Sequence, residues 1–161
     1  MAVDKELVLI AHDIRSAHNV GAFFRTADGA GVDKIYLTGY TPTPSTKKYL
    51  LSTADKQLQK TALGAEKTVV WEQCTDVLAL ISELKQKGFA IYALEQDPRS
   101  ITYTTTTDNE KMALIVGNEV EGINEEILAQ CDAILEIPMH GSKNSLNVSV
   151  ATGIALYELT K

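Results

Sequence analysis

Two polar segments near the carboxyl end of the chain combine glycines with side chains that can hydrogen-bond a ligand. The first, residues 117–122, reads Gly-Asn-Glu-Val-Glu-Gly, and the second runs from Ile137 to Ser145. Glycines at both ends of the first segment permit positive φ and a close approach of the backbone to a ligand. Its two glutamates disfavour a bare phosphate, and it has neither the Gly-Lys-Ser/Thr ending of a phosphate loop nor the G-x-G-x-x-G dinucleotide fingerprint. The predicted ligand is one that carries hydroxyl groups or positive charge.

Each of these segments follows an apolar run that we predict to be a buried strand. The runs are 113–116 and 133–136, and a predicted helix from about Leu146 to Thr160 follows the second segment. Loops at the carboxyl ends of parallel strands are where open α/β sheets bind ligands. The alternative for the first segment is a plain strand-to-helix turn. Ser145 and Asn147 are both suited to cap the helix, but capping by one of them leaves the other unexplained.

A third polar segment, residues 12–19, follows the predicted strand Leu7–Ala11 and precedes a predicted helix from Gly21 to about Ala30. Asn19 is placed either to cap that helix or to contact a substrate, and the two roles are compatible. Arg25 lies within the helix in mostly apolar company, which predicts a fixed partner for its guanidinium group.

The same segments carry the motifs of a known family. Asn19–Gly21 with Arg25–Ala27 reads Asn-x-Gly and Arg-Thr-Ala, residues 117–122 form a second motif, and 137–139 (Ile-Pro-Met) with 145–149 (Ser-Leu-Asn-Val-Ser) form a third. In this order, and over essentially the whole chain, the sequence resembles the SpoU-type (TrmH-like) 2′-O-ribose RNA methyltransferases, a branch of the SPOUT superfamily. The resemblance implies a SPOUT fold whose C-terminal segment forms a trefoil knot.

The resemblance implies S-adenosyl-L-methionine as the cofactor, held in the knot between three loops. These are the loop after Leu94, residues 117–122 and residues 137–146, with backbone groups of Gly117, Ile137 and Leu146 around the adenine and ribose. The cofactor-binding residues that the resemblance implies are Leu94, Gly117, Gly122, Ile137, Met139, Ser145 and Leu146.

The implied reaction is transfer of the cofactor's methyl group to a ribose 2′-hydroxyl of tRNA or rRNA. Arg25 is the family's catalytic arginine by motif position, and because a guanidinium group stays protonated in proteins, we expect it to bind phosphate and orient the hydroxyl. The catalytic residues that the resemblance implies are Arg25, Asn19, Glu119, Ser145 and Asn147. The alternative is a cofactor-binding or scaffold protein that keeps the pocket without methylating RNA.

The resemblance further implies a homodimer with the site at the interface, so that Asn19 and Arg25 face the cofactor of the partner chain. The C-terminal helix offers a candidate dimer surface through a stripe that includes Ala151 and Tyr157. The same stripe is also compatible with a place in the core.

The charge of the chain argues against a nucleic-acid partner, because proteins that bind RNA neutralise its phosphates with basic residues. The formal net charge is −6. Five lysines between Lys47 and Lys67, against Asp55 and Glu66, nevertheless allow a local basic face. The alternative is that these lysines are ordinary solvated residues.

Length and composition predict one domain over residues 1–161, because 161 residues with 45% hydrophobic content suffice for a substantial core. No stretch has the length of a transmembrane helix and no signal peptide is recognisable, so the expected location is the cytoplasm. Cys74 and Cys131 lie far apart, without a C-x-x-C pattern or a histidine at ligand spacing. We therefore expect reduced thiols and no metal site.

The alternation of predicted strands and helices favours an α/β fold with a mostly parallel sheet of about six strands flanked by helices. The strands are predicted at Leu7–Ala11, Lys34–Thr38, Thr68–Trp71, Phe89–Leu94, 113–116 and 133–136. Beside the two helices above, Thr75–Lys87 has a clear helical periodicity, whereas Tyr49–Lys60 is compatible with helix or loop and Thr102–Thr107 with a loop or an edge segment.

Overall fold

A computed structural model of the chain describes residues 4–105 and 109–161. Within these residues seven strands form one sheet: β1 Glu6–His12, β2 Lys34–Thr38, β3 Trp71–Cys74, β4 Ala90–Leu94, β5 Ile101–Thr102, β6 Lys111–Val116 and β7 Ala133–Glu136. The strand order is β3-β2-β1-β6-β4-β7-β5, and every pair of neighbours is parallel. The α/β class and the parallel sheet are confirmed, with one strand more than predicted.

Helices cover both faces of the sheet, because its strands are apolar on both sides. The helices are α1 Ala17–Ala30, α2 Thr53–Ala62, α3 Val77–Gln86, α4 Glu125–Leu128 and α5 Val148–Leu159, with a short 3₁₀ helix at Ala65–Lys67. In β1, Leu7 and Leu9 pack in the core beneath α1, α2 and α5, whereas Val8 and Ile10 pack in the core beneath α3 and α4. This alternation is the two-residue period of a strand buried on both faces.

Two strand predictions differ from the structure. The third strand was predicted at Thr68–Trp71, but the amides of Thr68 and Val69 bond back to the carbonyl of Ala65, so the chain is still completing the 3₁₀ turn there. Pairing with β2 begins only at Trp71, opposite Ile35. The strand β5 was not predicted, because two residues are too short for a periodic pattern. It shares Thr102 with the Thr102–Thr107 segment predicted as a loop or an edge segment, of which residues 106 and 107 fall outside the described residues.

Three helix boundaries follow from capping residues. The N-cap of α1 is Ser16, whose Oγ accepts from the amide of Asn19 at 3.2 Å, so the prediction that Asn19 caps the helix is wrong. Asn147 caps α5, and Ser145 lies before the helix. The segment Tyr49–Lys60, which was compatible with helix or loop, is a loop followed by α2. This helix begins after Ser52 with a reciprocal Ser52–Asp55 capping box.

Within residues 4–105 and 109–161, no helix combines the length and the apolar character needed to cross a membrane. The two thiols are free and half-buried, and burial raises the pKa of Cys131 to about 11. A thiol that resists ionisation in this way is a weak nucleophile and a weak metal ligand.

Candidate active site

A cavity of about 260 Å³ lies at the carboxyl ends of β4, β6 and β7, three neighbouring strands of the sheet. Its walls are the loops that follow these strands and the first turn of α5. It is lined by all seven residues predicted to hold the cofactor: Leu94, Gly117, Gly122, Ile137, Met139, Ser145 and Leu146. The predicted ligand segments therefore meet in one place, as expected for loops at one edge of a parallel sheet.

The glycines of the 117–122 loop are required by close backbone contacts. A Cβ on Gly117 would lie 2.7 Å from the carbonyl oxygen of Gly122 and 2.6 Å from Cγ1 of Ile123. Gly122 has a φ of +68°, and a Cβ there would overlap the Glu95 carboxylate. The loop is closed by the Gly122 amide, which donates to the carbonyl of Asn118 at 3.0 Å. No larger residue fits at either end without moving the loop.

Asn118 fixes the shape of this loop from within. Its Oδ1 accepts from the amides of Val120 and Glu121, each at 2.8 Å. Its Nδ2 donates to the carbonyl of Asp13 at 3.0 Å and to the hydroxyl of Tyr40 at 2.8 Å. Asn118 was not among the predicted site residues, and its position inside a glycine-bounded turn is the sequence signal for this role.

Glu119 joins the same loop to the start of α1. Its carboxylate accepts from the amides of Arg15 at 2.9 Å and Ser16 at 2.8 Å, and from Nδ2 of Asn19 at 3.1 Å. Burial opposes ionisation of Glu119, but these donors outweigh it and lower the pKa of the carboxyl group. A carboxylate in this position also complements the positive end of the helix dipole. Two predicted catalytic residues, Glu119 and Asn19, are thus in direct contact.

The loop after β4 connects the remaining walls of the cavity. The carboxylate of Glu95 accepts from the amide of Ile123 at 3.0 Å and from the amide of Gln96 at 2.9 Å. The side-chain amide of Gln96 donates to the carbonyl of Asn144 at 2.6 Å. Glu95 and Gln96 were not among the predicted site residues. These hydrogen bonds join all three loops into one frame around the cavity.

Two other predicted catalytic residues lie outside this frame. Asn147 accepts from the amide and the hydroxyl of Ser149, at 2.8 and 2.6 Å, as the cap of α5. Arg25 is exposed on α1 and makes no hydrogen bond or ion pair to the described residues of its own chain, so the predicted fixed partner is absent there. Ser145 lines the cavity but is not bonded to Glu119 or Asn19 in the described structure. The predicted polar network therefore forms only in part.

The cavity has an acidic and apolar lining. Glu95, Glu119 and Glu136 contribute carboxylates, and no lysine or arginine is among the described lining residues. Apolar side chains provide much of the remaining wall: Leu94, Leu135, Ile137, Met139 and Leu146. Such a lining attracts a ligand with a flat apolar part and positive charge and repels phosphate.

Comparison with known proteins shows which family the chain belongs to. The model of the SpoU rRNA methylase family matches residues 6–157. The chain belongs to the SpoU methylase family. The resemblance found in the three sequence motifs is thereby confirmed.

Curated SpoU relatives match along nearly the whole chain. The tRNA (guanosine(18)-2′-O)-methyltransferase of Aquifex aeolicus is 35% identical over 154 residues, which are 96% of this chain and 68% of the relative. The 23S rRNA (guanosine-2′-O-)-methyltransferase RlmB of Xanthomonas axonopodis pv. citri is 30% identical over 160 residues, which are 99% of this chain and 60% of the relative. The chain thus spans about two thirds of the length of these two SpoU proteins.

Solved SpoU structures share the fold. The crystal structure of the A. aeolicus TrmH/SpoU tRNA modifying enzyme has a TM-score of 0.81 and 33% identity, covering 97% of this chain and 74% of that one. The structure of an AdoMet-bound rRNA methyltransferase from Sinorhizobium meliloti has a TM-score of 0.83 and 25% identity, covering 97% of this chain and 56% of that one. The predicted SPOUT architecture is confirmed, and the trefoil knot stays a prediction.

Proposed function

We propose that this SpoU-family chain is an RNA methyltransferase that transfers a methyl group from S-adenosyl-L-methionine to a ribose 2′-hydroxyl of tRNA or rRNA. The proposal rests on one observation. The loops that contain the family's motifs form a cavity, and every predicted cofactor residue lines it. Relatives that match nearly all of this chain are named as 2′-O-methyltransferases of tRNA and of 23S rRNA.

The lining of the cavity fits this cofactor. The bound cofactor supplies a methyl group on a positively charged sulfur, and carboxylates stabilise positive charge. Among the described residues, the carboxylate of Glu136 has no hydrogen-bond partner and is available to ribose hydroxyls or the ammonium group. Gly117 exposes its backbone to the cavity, and the apolar side chains suit the adenine ring. Dinucleotides and nucleoside triphosphates are disfavoured, because their phosphates would face three glutamates.

The chain's own residues provide positioning more than acid–base chemistry. Arg25 keeps its proton, so we assign it to binding a phosphate and orienting the 2′-hydroxyl, for which a planar fork of donors is suited. Holding a nucleophile in line with the transferred group is worth on the order of 7–11 kcal/mol in favourable cases. Asn19 and Glu119 hold the helix that carries Arg25 against the cofactor loop.

The proposed enzyme is a homodimer, which would supply Arg25 with the partner that it lacks among the described residues of its own chain. Arg25 lies one helical turn after Ala22 on α1, and Ala22 borders an open groove between α1 and α5. On α5 this groove is lined by Val150, Ile154 and Tyr157, which are 50, 36 and 53% exposed. These side chains form an apolar surface of the kind that two copies bury against each other. The proposed place of action is the cytoplasm, where tRNA and ribosomes are found.

Methyl incorporation into RNA tests the proposal. We expect the purified protein to transfer tritiated methyl groups from S-adenosyl-L-methionine to unmodified tRNA or rRNA, with a product linkage that resists alkali because the 2′-oxygen is blocked. A protein that binds the cofactor and labels neither RNA would support the scaffold alternative. A base-methylated product would contradict the ribose assignment.

A further inference from the structure

A segment beside the cavity displays basic and aromatic side chains to solvent. We define residues 40–50 as the lysine loop. The chain has no acidic residue between Asp33 and Asp55, although its net charge is −6. Within the lysine loop, Lys47 and Lys48 are exposed, and their ammonium groups form no ion pair with the described residues. The loop is therefore an uncompensated positive region on an acidic protein.

The first two residues of the lysine loop are anchored to the candidate site. The hydroxyl of Thr41 accepts from the amide of Ile14 at 3.0 Å and donates to the carbonyl of Ala11 at 2.9 Å. The hydroxyl of Tyr40 accepts from Asn118, which lines the cavity, at 2.8 Å. One end of the lysine loop is thus held beside the cavity wall, whereas residues 46–50 at its other end are exposed to solvent.

The far end of the lysine loop exposes large side chains that no core contact explains. Tyr49 is 80% exposed and Leu50 is 95% exposed. Leu50 also has a φ of +56°, a conformation that bulky residues rarely adopt. The exposed Lys56 and Lys60 of α2 follow with helical spacing, which extends the positive region. An exposed tyrosine between cations is the combination that binds a single nucleic-acid strand by stacking and charge.

We propose that the lysine loop is a docking surface for single-stranded RNA next to the target nucleotide. Lys47 and Lys48 bind phosphates of that strand, and the ring of Tyr49 stacks on one of its bases. The inference rests on the proposed function, to which it adds the place and the form of the bound RNA. It also explains how an acidic chain acts on RNA, because the lysine loop is locally positive and its first residues lie beside the cavity.

Anisotropy of a short labelled single-stranded RNA, titrated with the full chain, tests the docking surface. Tyr49→Ala is expected to weaken binding about tenfold through loss of one stacked base. Tyr49→Phe keeps the ring and is expected to bind like the wild type. The double variant Lys47→Ala/Lys48→Ala is expected to lower the slope of log K against log salt by about 1.4, because two phosphate contacts are removed. The same strand in a duplex is expected to lose the dependence on Tyr49.

The control removes two lysines at the carboxyl end of α3, on the opposite face of the sheet: Lys85→Ala/Lys87→Ala, of which Lys87 is paired with Glu83. This control is expected to keep the wild-type salt slope, and calorimetric binding of S-adenosyl-L-methionine is expected to be unchanged in every variant. Wild-type affinity in Tyr49→Ala, or an equal loss in the control, overturns the docking surface while methyl transfer by the wild type still supports the proposed function. A wild type that binds the cofactor but no RNA overturns both.

Discussion

At the scale of single residues, Glu119 has a structural role at the start of α1 that could not be read from its position in the motif. Its carboxylate accepts three hydrogen bonds at the start of α1, and these donors lower its pKa, which makes it a weak base towards a substrate hydroxyl. Asn19 is likewise bonded to Glu119, whereas the exposed Arg25 side chain makes no hydrogen bond or ion pair to the described residues of its own chain. Among these three, Arg25 is the side chain left free to touch RNA.

The first prediction concerns the stability that Glu119 provides. Its pKa is lower in the folded chain, so its contribution is present at neutral pH and is lost as the pH falls through the lowered folded pKa. Glu119→Gln is expected to lower the free energy of unfolding at neutral pH by about 1 kcal/mol, and the difference from wild type is expected to vanish at acid pH. Urea unfolding over a series of pH values measures both effects.

Glu121→Gln is the matched control, because the Glu121 side chain lies in the same loop and has no hydrogen bond or ion pair to the described residues. It is expected to keep wild-type stability at each pH. An equal effect of the two substitutions would show that loop charge in general, and not the contact with α1, sets the acid stability.

The second prediction separates orientation by Arg25 from simple charge attraction. Arg25→Ala is expected to keep the affinity for S-adenosyl-L-methionine and the folding stability, since the side chain is exposed, but to lose methyl transfer by at least about a hundredfold. Arg25→Lys keeps the charge without the planar fork and is expected to show a similarly large loss. The measurements are calorimetry and methyl incorporation. A mild effect in the lysine variant would favour charge attraction.

At the scale of elements, glycines set how closely the parts of the site approach. Gly21, in the first motif, lies where α1 crosses α2, and a Cβ there would overlap the hydroxyl of Thr61 and the carbonyl of Leu58. This motif glycine is therefore explained by helix packing and not by ligand contact. The glycines of the 117–122 loop are different, because they line the cavity itself.

The third prediction tests that loop. Gly117→Val is expected to abolish calorimetric binding of S-adenosyl-L-methionine, because the new side chain collides with the backbone of Gly122 and moves the cavity wall. Gly141→Ala is the control, since no atom lies within 4 Å of a Cβ at Gly141, and it is expected to bind normally. Unchanged binding in Gly117→Val would place the cofactor elsewhere.

At the scale of the whole molecule, the fourth prediction is that the site is completed by a second copy. Light scattering is expected to give the mass of a dimer for the wild type and of a monomer for Ile154→Asp, which puts a charge into the apolar groove between α1 and α5. Val70→Asp adds the same charge at an exposed apolar residue outside this groove and is expected to remain dimeric. The Ile154 variant is also expected to lose methyl transfer, because Arg25 then has no partner cavity to face.

A wild-type mass of one chain, with cofactor present, would contradict the shared site. Full activity of a monomeric Ile154→Asp variant would also contradict the shared site, because it would show that one chain suffices for methyl transfer.

The sequence by itself determined the features that depend on neighbouring residues. Five strands and three principal helices were visible as apolar patterns, and the two ligand loops as the polar, glycine-containing segments that follow two of those strands. Since loops at the carboxyl ends of parallel strands share one edge of the sheet, the strand pattern also predicted a ligand site at that edge. The seven cofactor residues came from the resemblance to the SpoU-type family, and all of them line the cavity.

Only the tertiary structure decided what depends on distant partners. Four features join residues that no local pattern connects. They are the sheet order, the start of β3, the hydrogen bonds of Glu119 to the start of α1 and the hydrogen bond from Gln96 to Asn144. Asn19 shows the difference most clearly: its sequence position allowed it to cap α1, but Ser16 provides the cap and Asn19 turns to Glu119. Residue type and spacing limit which hydrogen bonds a side chain can make. The packing of the whole chain determines which of them form.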